Sequence, residues 1–115
     1  MSLPKHKGRC HCGTVLFEFD APSKVSVTVC HCAICKMTGY QHVLVPQRDV
    51  RFITGMDNIS FYTFDTYTAK HMFCKTCGIK PIFIPRAHPT YYSINLRCVK
   101  SSTMHVARTN TINKR

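Results

Sequence analysis

The chain has 115 residues, enough for one domain but short enough to gain from a metal staple. With 44% apolar residues it is not a disordered polymer, and its most apolar early stretch, Val15–Phe19, is too short to span a bilayer. Lysine and arginine number 16 against 5 acidic residues, and the resulting +11 favours anionic ligands or a nucleic-acid surface over cationic partners.

The opening residues, Met1–Arg9, are polar and basic and lead into no hydrophobic signal core, so a cytoplasmic or nuclear location is expected. Val15, Phe17 and Phe19 alternate with Thr14, Leu16 and Glu18, and Val25, Val27 and Val29 alternate with Ser26, Thr28 and Cys30. A period of two is the mark of strands. One or two helical turns are expected over Ala33–Thr38, closed by Gly39. Further strands are expected at Val43–Val45, Val50–Ile53, Ile59–Phe64, His71–Phe73, Pro81–Ile84 and Tyr91–Asn95. Val50–Phe64 reads as a hairpin turning at Gly55-Met56-Asp57-Asn58. The segment Val99–Arg115 is a polar, basic tail in which Met104–Val106 adds at most an edge strand and Thr109–Arg115 frays. Many short strands with Gly, Pro and Asn punctuation define an all-β fold class, read as a single domain over 1–115.

Eight cysteines without a secretory signal, spaced as CxC and CxxC, read as metal ligands rather than disulfides. Cys10-His11-Cys12 and Cys74-Lys75-Thr76-Cys77-Gly78 form one set. On an extended strand Cys10 and Cys12 share a face, and the CxxC turn followed by glycine is a zinc knuckle. Together they offer four thiolates to a closed, structural zinc. Cys30-His31-Cys32-Ala33-Ile34-Cys35 is the second set. It offers three sulfurs, the pattern of a working zinc that keeps one position open. Cys98, His31, His42 or His71 would close that site if one of them became the fourth ligand. Two zinc ions per chain are therefore expected, leaving a balance of about +8 once the thiolates are counted.

Three pieces of this sequence resemble the family of glutathione-dependent formaldehyde-activating enzymes and centromere protein V. They are Gly8-Arg9-Cys10-His11-Cys12-Gly13, Cys30–Gly39 and Phe73-Cys74-Lys75-Thr76-Cys77-Gly78. Pro85-Arg86 and Ile94-Asn95-Leu96-Arg97-Cys98 are also similar, so the resemblance covers about residues 8–98. It implies a β-tent-type fold of small sheets pinned by the four-cysteine zinc, with Cys30, Cys32 and Cys35 holding the working zinc. It also implies a carbon–sulfur lyase reaction joining glutathione and formaldehyde reversibly as S-(hydroxymethyl)glutathione. The segment after Cys98 departs from the family pattern, with Val99-Lys100-Ser101-Ser102 where acidic and glycine residues are usual.

Glutathione carries two carboxylates, and Lys36, Lys75 and Arg86 are the candidates to receive them, Arg86 being best suited to a bidentate contact. Exposed lysine and arginine more often serve only solubility. His31 or His42 would move protons at neutral pH, although a histidine beside a metal motif more often orients a ligand. The alternative is a non-catalytic zinc module that binds nucleic acid through its basic surface, the tail cations Lys100, Arg108, Lys114 and Arg115, and its 7 Phe and 5 Tyr. No dense basic run or nucleic-acid motif accompanies these features, so that reading ranks second.

Overall fold

A computed structural model of the chain describes residues 3–63, 70–100 and 104–112. Two sheets carry the fold. The first contains β1 (Lys5–Arg9), β2 (Leu16–Asp20) and β5 (Val50–Thr54), all antiparallel, in the order β1-β2-β5. The second has seven strands among the described residues. In chain order they are β3 (Lys24–Cys30), β4 (Gln41–Pro46), β6 (Ile59–Tyr62), β7 (Lys70–Cys74), β8 (Ile82–Ile84), β9 (Tyr91–Asn95) and β10 (His105–Ile112). Their spatial order is β10-β3-β4-β9-β8-β7-β6, and only the β10–β3 pair is parallel. The expected all-β, tent-like class is present, with one sheet larger than expected. The short helix α1 (Ala33–Thr38) ends at Gly39 with φ +66°, as the sequence indicates. No helix among the described residues is long and apolar enough to cross a membrane.

The period of two sets the core. Phe17 and Phe19 on β2 and Val25 and Val27 on β3 point inward, joined by Val43, Val45, Met72, Ile82 and Ile94. Each large apolar side chain fully buried in this way contributes roughly 1.5–3 kcal/mol. On the solvent face of the first sheet, Lys5 stands opposite Asp20 and Lys7 opposite Glu18. Arg51 on β5 bridges Glu18 at 2.9 Å and Asp20 at 3.0 Å. Most of the polar, basic start is thus a strand. Its inward residues are Gly8 and His6, whose Nε2 meets the Ala21 carbonyl at 2.9 Å.

The expected Val50–Phe64 hairpin is not formed. β5 pairs with β2 and β6 pairs with β7, so the chain between them turns a corner from one sheet to the other. Gly55 makes the corner with φ +87°, and a Cβ there would lie 2.3 Å from the Thr14 carbonyl oxygen. A 3-10 turn, Met56–Asn58, follows, closed by Asn58 N donating to Gly55 O at 2.9 Å. Phe64, the expected end of that hairpin, lies outside the described residues. The tail also differs: instead of fraying from Thr109, β10 continues to Ile112, pairing Thr109 with Val27 and Thr111 with Val29. The rest of the expected frayed end, 113–115, lies outside the described residues.

The corner yields a direct expectation. Gly55→Ala combines a positive φ with a backbone clash, and should lower stability by about 2 kcal/mol or more. Urea unfolding with an unchanged m-value is the measurement, and an unaltered midpoint would show that the corner is not constrained as described.

Candidate metal centres and their pocket

The first cluster forms where two turns meet. Cys10 follows β1 and Cys12 lies in the turn to β2, rather than both on one strand face as expected. The cause is a tight closure: Cys10 N donates to Val15 O at 3.1 Å and Gly13 N to Cys10 O at 3.2 Å. Cys74 ends β7, and Cys77 lies in the turn after it. Gly78, with φ +76°, returns its N–H to the Cys74 carbonyl at 2.8 Å, a geometry that an L side chain resists.

The sulfurs of Cys10, Cys12, Cys74 and Cys77 all lie within 4.8 Å of one another. Cys10 and Cys12 sulfurs are 3.6 Å apart, and those of Cys12 and Cys74 3.7 Å. A tetrahedral ion with metal–sulfur bonds near 2.3 Å requires sulfur–sulfur edges of about 3.8 Å, so the donor set fits zinc. Backbone N–H of Val15 reaches Cys10 Sγ at 3.3 Å and Asn58 Nδ2 reaches Cys74 Sγ at 3.4 Å, as donors to thiolates would. Without an ion, burial pushes the Cys10 thiol up to about 11, while its hydrogen bond with Thr14 takes Cys12 down to about 6.

The second cluster lies at the C-terminal end of the large sheet's β3. Cys30 ends that strand, Cys32 is the N-cap of α1, and Cys35 is buried within the helix. Cys30 and Cys32 therefore belong to different elements, not to one strand face. Their three sulfurs lie within 4.8 Å of one another. Burial pushes the Cys35 thiol well up; on Cys32 burial acts the same way but is outweighed by hydrogen bonds from Cys35, and the net shift is down.

Of the four groups proposed to close this site, none joins the three sulfurs among the described residues. His42 comes nearest, with Nε2 3.2 Å from Cys35 Sγ and Nδ1 2.8 Å from Ser93 Oγ. His31 is exposed beside the site. His71 bonds Lys80 Nζ at 2.6 Å. Cys98 is pushed up to about 11 by burial and then by the thiolates of Cys10 and Cys77.

A pocket of about 220 Å³ opens against two of these cysteines, with Cys30, His31, Cys35, Lys36, Tyr40 and Arg97 among its lining residues. A larger depression of about 450 Å³, between Pro46 and Tyr91, contains neither cysteine nor histidine, so the chemistry belongs to the smaller one. Of the cations singled out from the sequence, Lys36 lines this pocket. Lys75 is exposed near the first cluster, its Nζ donating to the Asp57 carbonyl at 3.3 Å. Arg86 is exposed in the turn after β8 and is not among the lining residues. Arg97 is, held by a 3.0 Å hydrogen bond from Nε to the Gly39 carbonyl.

Residues that sequence reasoning gave no role complete the surroundings. Tyr40 is buried, donates its hydroxyl to the Ser93 carbonyl and packs its ring 4.6 Å from His42. Lys80 is buried between Tyr40 and Phe83. The available signal was one lysine interrupting the apolar run from Ile79 to Ile84.

Fold and site together define a small all-β protein that gathers cysteine sulfurs at two points, one closed and one open to a pocket. The family model for glutathione-dependent formaldehyde-activating enzyme matches residues 5–112, and the chain belongs to that family. A Halomonas elongata protein named "Putative glutathione-dependent formaldehyde-activating enzyme" is 30% identical over 80 residues, covering 63% of this chain and 51% of that relative. The chain thus spans about half the length of this curated relative. The crystal structure of a Rhodobacter sphaeroides protein aligns with a TM-score of 0.72 at 34% identity, over 80% of this chain and 85% of that one.

One titration follows from the packing. Burial, with the positive Lys80 beside it, lowers His71 from about 6.5 to about 4, so its imidazole is neutral in the fold. Its contribution to stability is complete above pH 6.5 and is lost as pH falls toward 4, by up to about 1.4 kcal/mol per unit. Imidazole NMR of labelled protein should show His71 titrating well below 6.5; an ordinary midpoint would contradict the burial described.

Proposed function

We propose that this chain is a zinc-dependent, carbon–sulfur lyase-like protein acting on a thiol adduct of formaldehyde such as S-(hydroxymethyl)glutathione. The observation that carries the reading is the convergence of the Cys30, Cys32 and Cys35 sulfurs beside a pocket lined by Cys30 and Cys35 that also presents Lys36 and Arg97. Membership of the family supports the substrate class. In this reading Cys10, Cys12, Cys74 and Cys77 hold a structural zinc and the three-cysteine set a second one, within a single domain over 1–115.

Zinc bound by the three cysteines supplies a Lewis-acid position that favours a deprotonated thiol. The chain's own residues do the rest. Lys36 and Arg97 receive the tripeptide carboxylates, a part that Arg86 is less well situated to play. Joining thiol and formaldehyde forms a carbon–sulfur bond and moves the thiol's proton to the new hydroxyl; the reverse reaction returns it. His31, exposed on the pocket wall, suits carrying that proton. His42 is driven down to about 4 by burial, then by Lys80, so it stays neutral and orients Cys35 instead.

Three measurements test the reading. Metal analysis should find two zinc ions per chain. Cys74→Ala should abolish cooperative unfolding, because structural zinc is worth roughly 10–16 kcal/mol in apparent terms. Cys32→Ala should remain folded with one ion, and equal unfolding of both variants would end the division into structural and working sites. In cobalt-substituted protein, glutathione should change the thiolate-to-metal absorption, and Cys35→Ala should remove that response. No spectral change at saturating glutathione, with salt-sensitive DNA binding that survives Cys35→Ala, would favour the nucleic-acid module instead.

A further inference from the structure

Lys80 occupies a place that lysine ordinarily avoids. The residue is 9% exposed. Its Nζ lies 2.6 Å from His71 Nδ1, 4.2 Å from the Phe83 ring centroid and 4.6 Å from that of Tyr40. Among the described residues no carboxylate faces it: Glu18 and Asp20 are taken by Arg51, and Asp49 and Asp57 sit on 3-10 turns elsewhere. His71, being neutral, accepts the hydrogen bond but cancels no charge. A buried ammonium without a counter-charge costs more than aromatic faces return. Some negative group must therefore complete this site.

The geometry gives the direction in which that group lies. The Tyr40 ring, against which Nζ rests, packs on His42, and His42 Nε2 is 3.2 Å from Cys35 Sγ. Phe83, the second ring against Nζ, also packs on His42, at 5.4 Å. Burial takes the Lys80 ammonium down, the thiolates of Cys35 and Cys32 oppose that in part, and the balance stands at about 8. The other cations near the three sulfurs, Lys36 and Arg97, are exposed, where water screens them.

We propose that Lys80 is the built-in counter-charge of the Cys30–Cys32–Cys35 centre, a positioning residue that keeps the centre receptive to an anionic sulfur ligand. The inference rests on reading those cysteines as a metal centre. Three thiolates and a divalent ion carry −1, and a fourth thiolate raises this to −2. A fixed buried cation offsets that second charge, whereas a neutral ligand such as water gains nothing from it. The device selects for thiols as a class, before any recognition of the tripeptide.

Lys80→Met keeps length and removes charge. Replacing a buried charge by an apolar chain is commonly neutral or stabilising, so the variant should melt at or above the native temperature. Chelator competition on the cobalt-substituted full chain at fixed neutral pH is the main readout. In Lys80→Met the three-cysteine cobalt should bind about tenfold more weakly or worse, with the four-cysteine cobalt unchanged. Lys80→Arg should recover most of the loss. Glutathione and 2-mercaptoethanol affinities should fall together in Lys80→Met. The proposal is overturned if both cobalt ions weaken equally, or if the three-cysteine ion holds as tightly as in the native protein. If native cobalt protein ignores every thiol while the chelator difference persists, the reaction proposed above fails and the counter-charge role of Lys80 stands.

Discussion

The meeting of two distant turns at four sulfurs is the constraint on which the rest of this structure depends. Cys10 and Cys12 belong to the hairpin of the small sheet, and Cys74 and Cys77 to the knuckle that ends β7 of the large one. Bringing them together closes a loop of more than half the chain, an entropic cost that a small core meets poorly on its own. The corner at Gly55–Asn58 lies on the same junction: Asn58 touches Cys74 Sγ with its side chain and Lys75 N with its carbonyl. Sheet order, corner and knuckle are therefore aspects of one junction.

The second cluster is arranged on the opposite principle. Its sulfurs come from a single stretch of six residues, so nothing distant needs to be drawn together to make it. What comes from afar is its environment. Ser93 on β9 orients His42 on β4, Tyr40 and Lys80 fill the space behind Cys35, and Arg97 follows β9. The large sheet thus acts as a scaffold that surrounds a locally encoded ligand set with nonlocal charge and hydrogen bonding, the division of labour usual for metal sites.

That division explains what could be read from the sequence. Ligand spacing is a local property, and the seven cysteines group in the structure as their spacing indicates. Period-two alternation is also local, and it located β2 and β3 because each has one face in the core. The corner at Gly55 was misread because glycine, aspartate and asparagine mark hairpin turns and inter-sheet corners alike. β10 was underestimated because its side chains from His105 to Thr111 are exposed and its hold on β3 is backbone pairing, which leaves no apolar period. Cys10 and Cys12 were given to a strand because CxC fits an extended face, whereas the Cys10–Val15 hydrogen bond makes a turn. The pocket's cations depended on tertiary placement: Arg86 and Arg97 are equally basic in sequence, and only the fold puts Arg97 against the sulfurs.

The parallel pairing of β10 with β3 has a consequence for how the chain is made. β3 meets β4 at Thr28 and Val29 alone, so along Lys24–Val27 its ladder partner is β10. During synthesis the strand leading to Cys30 stands with an open edge until residues 105–112 have emerged. A chain stalled or clipped before then presents a valine-rich edge of the kind that recruits other strands. Translation past Ile112 is thus the event that seals this sheet, and the cell's exposure to its sticky form is set by the time the ribosome takes to get there.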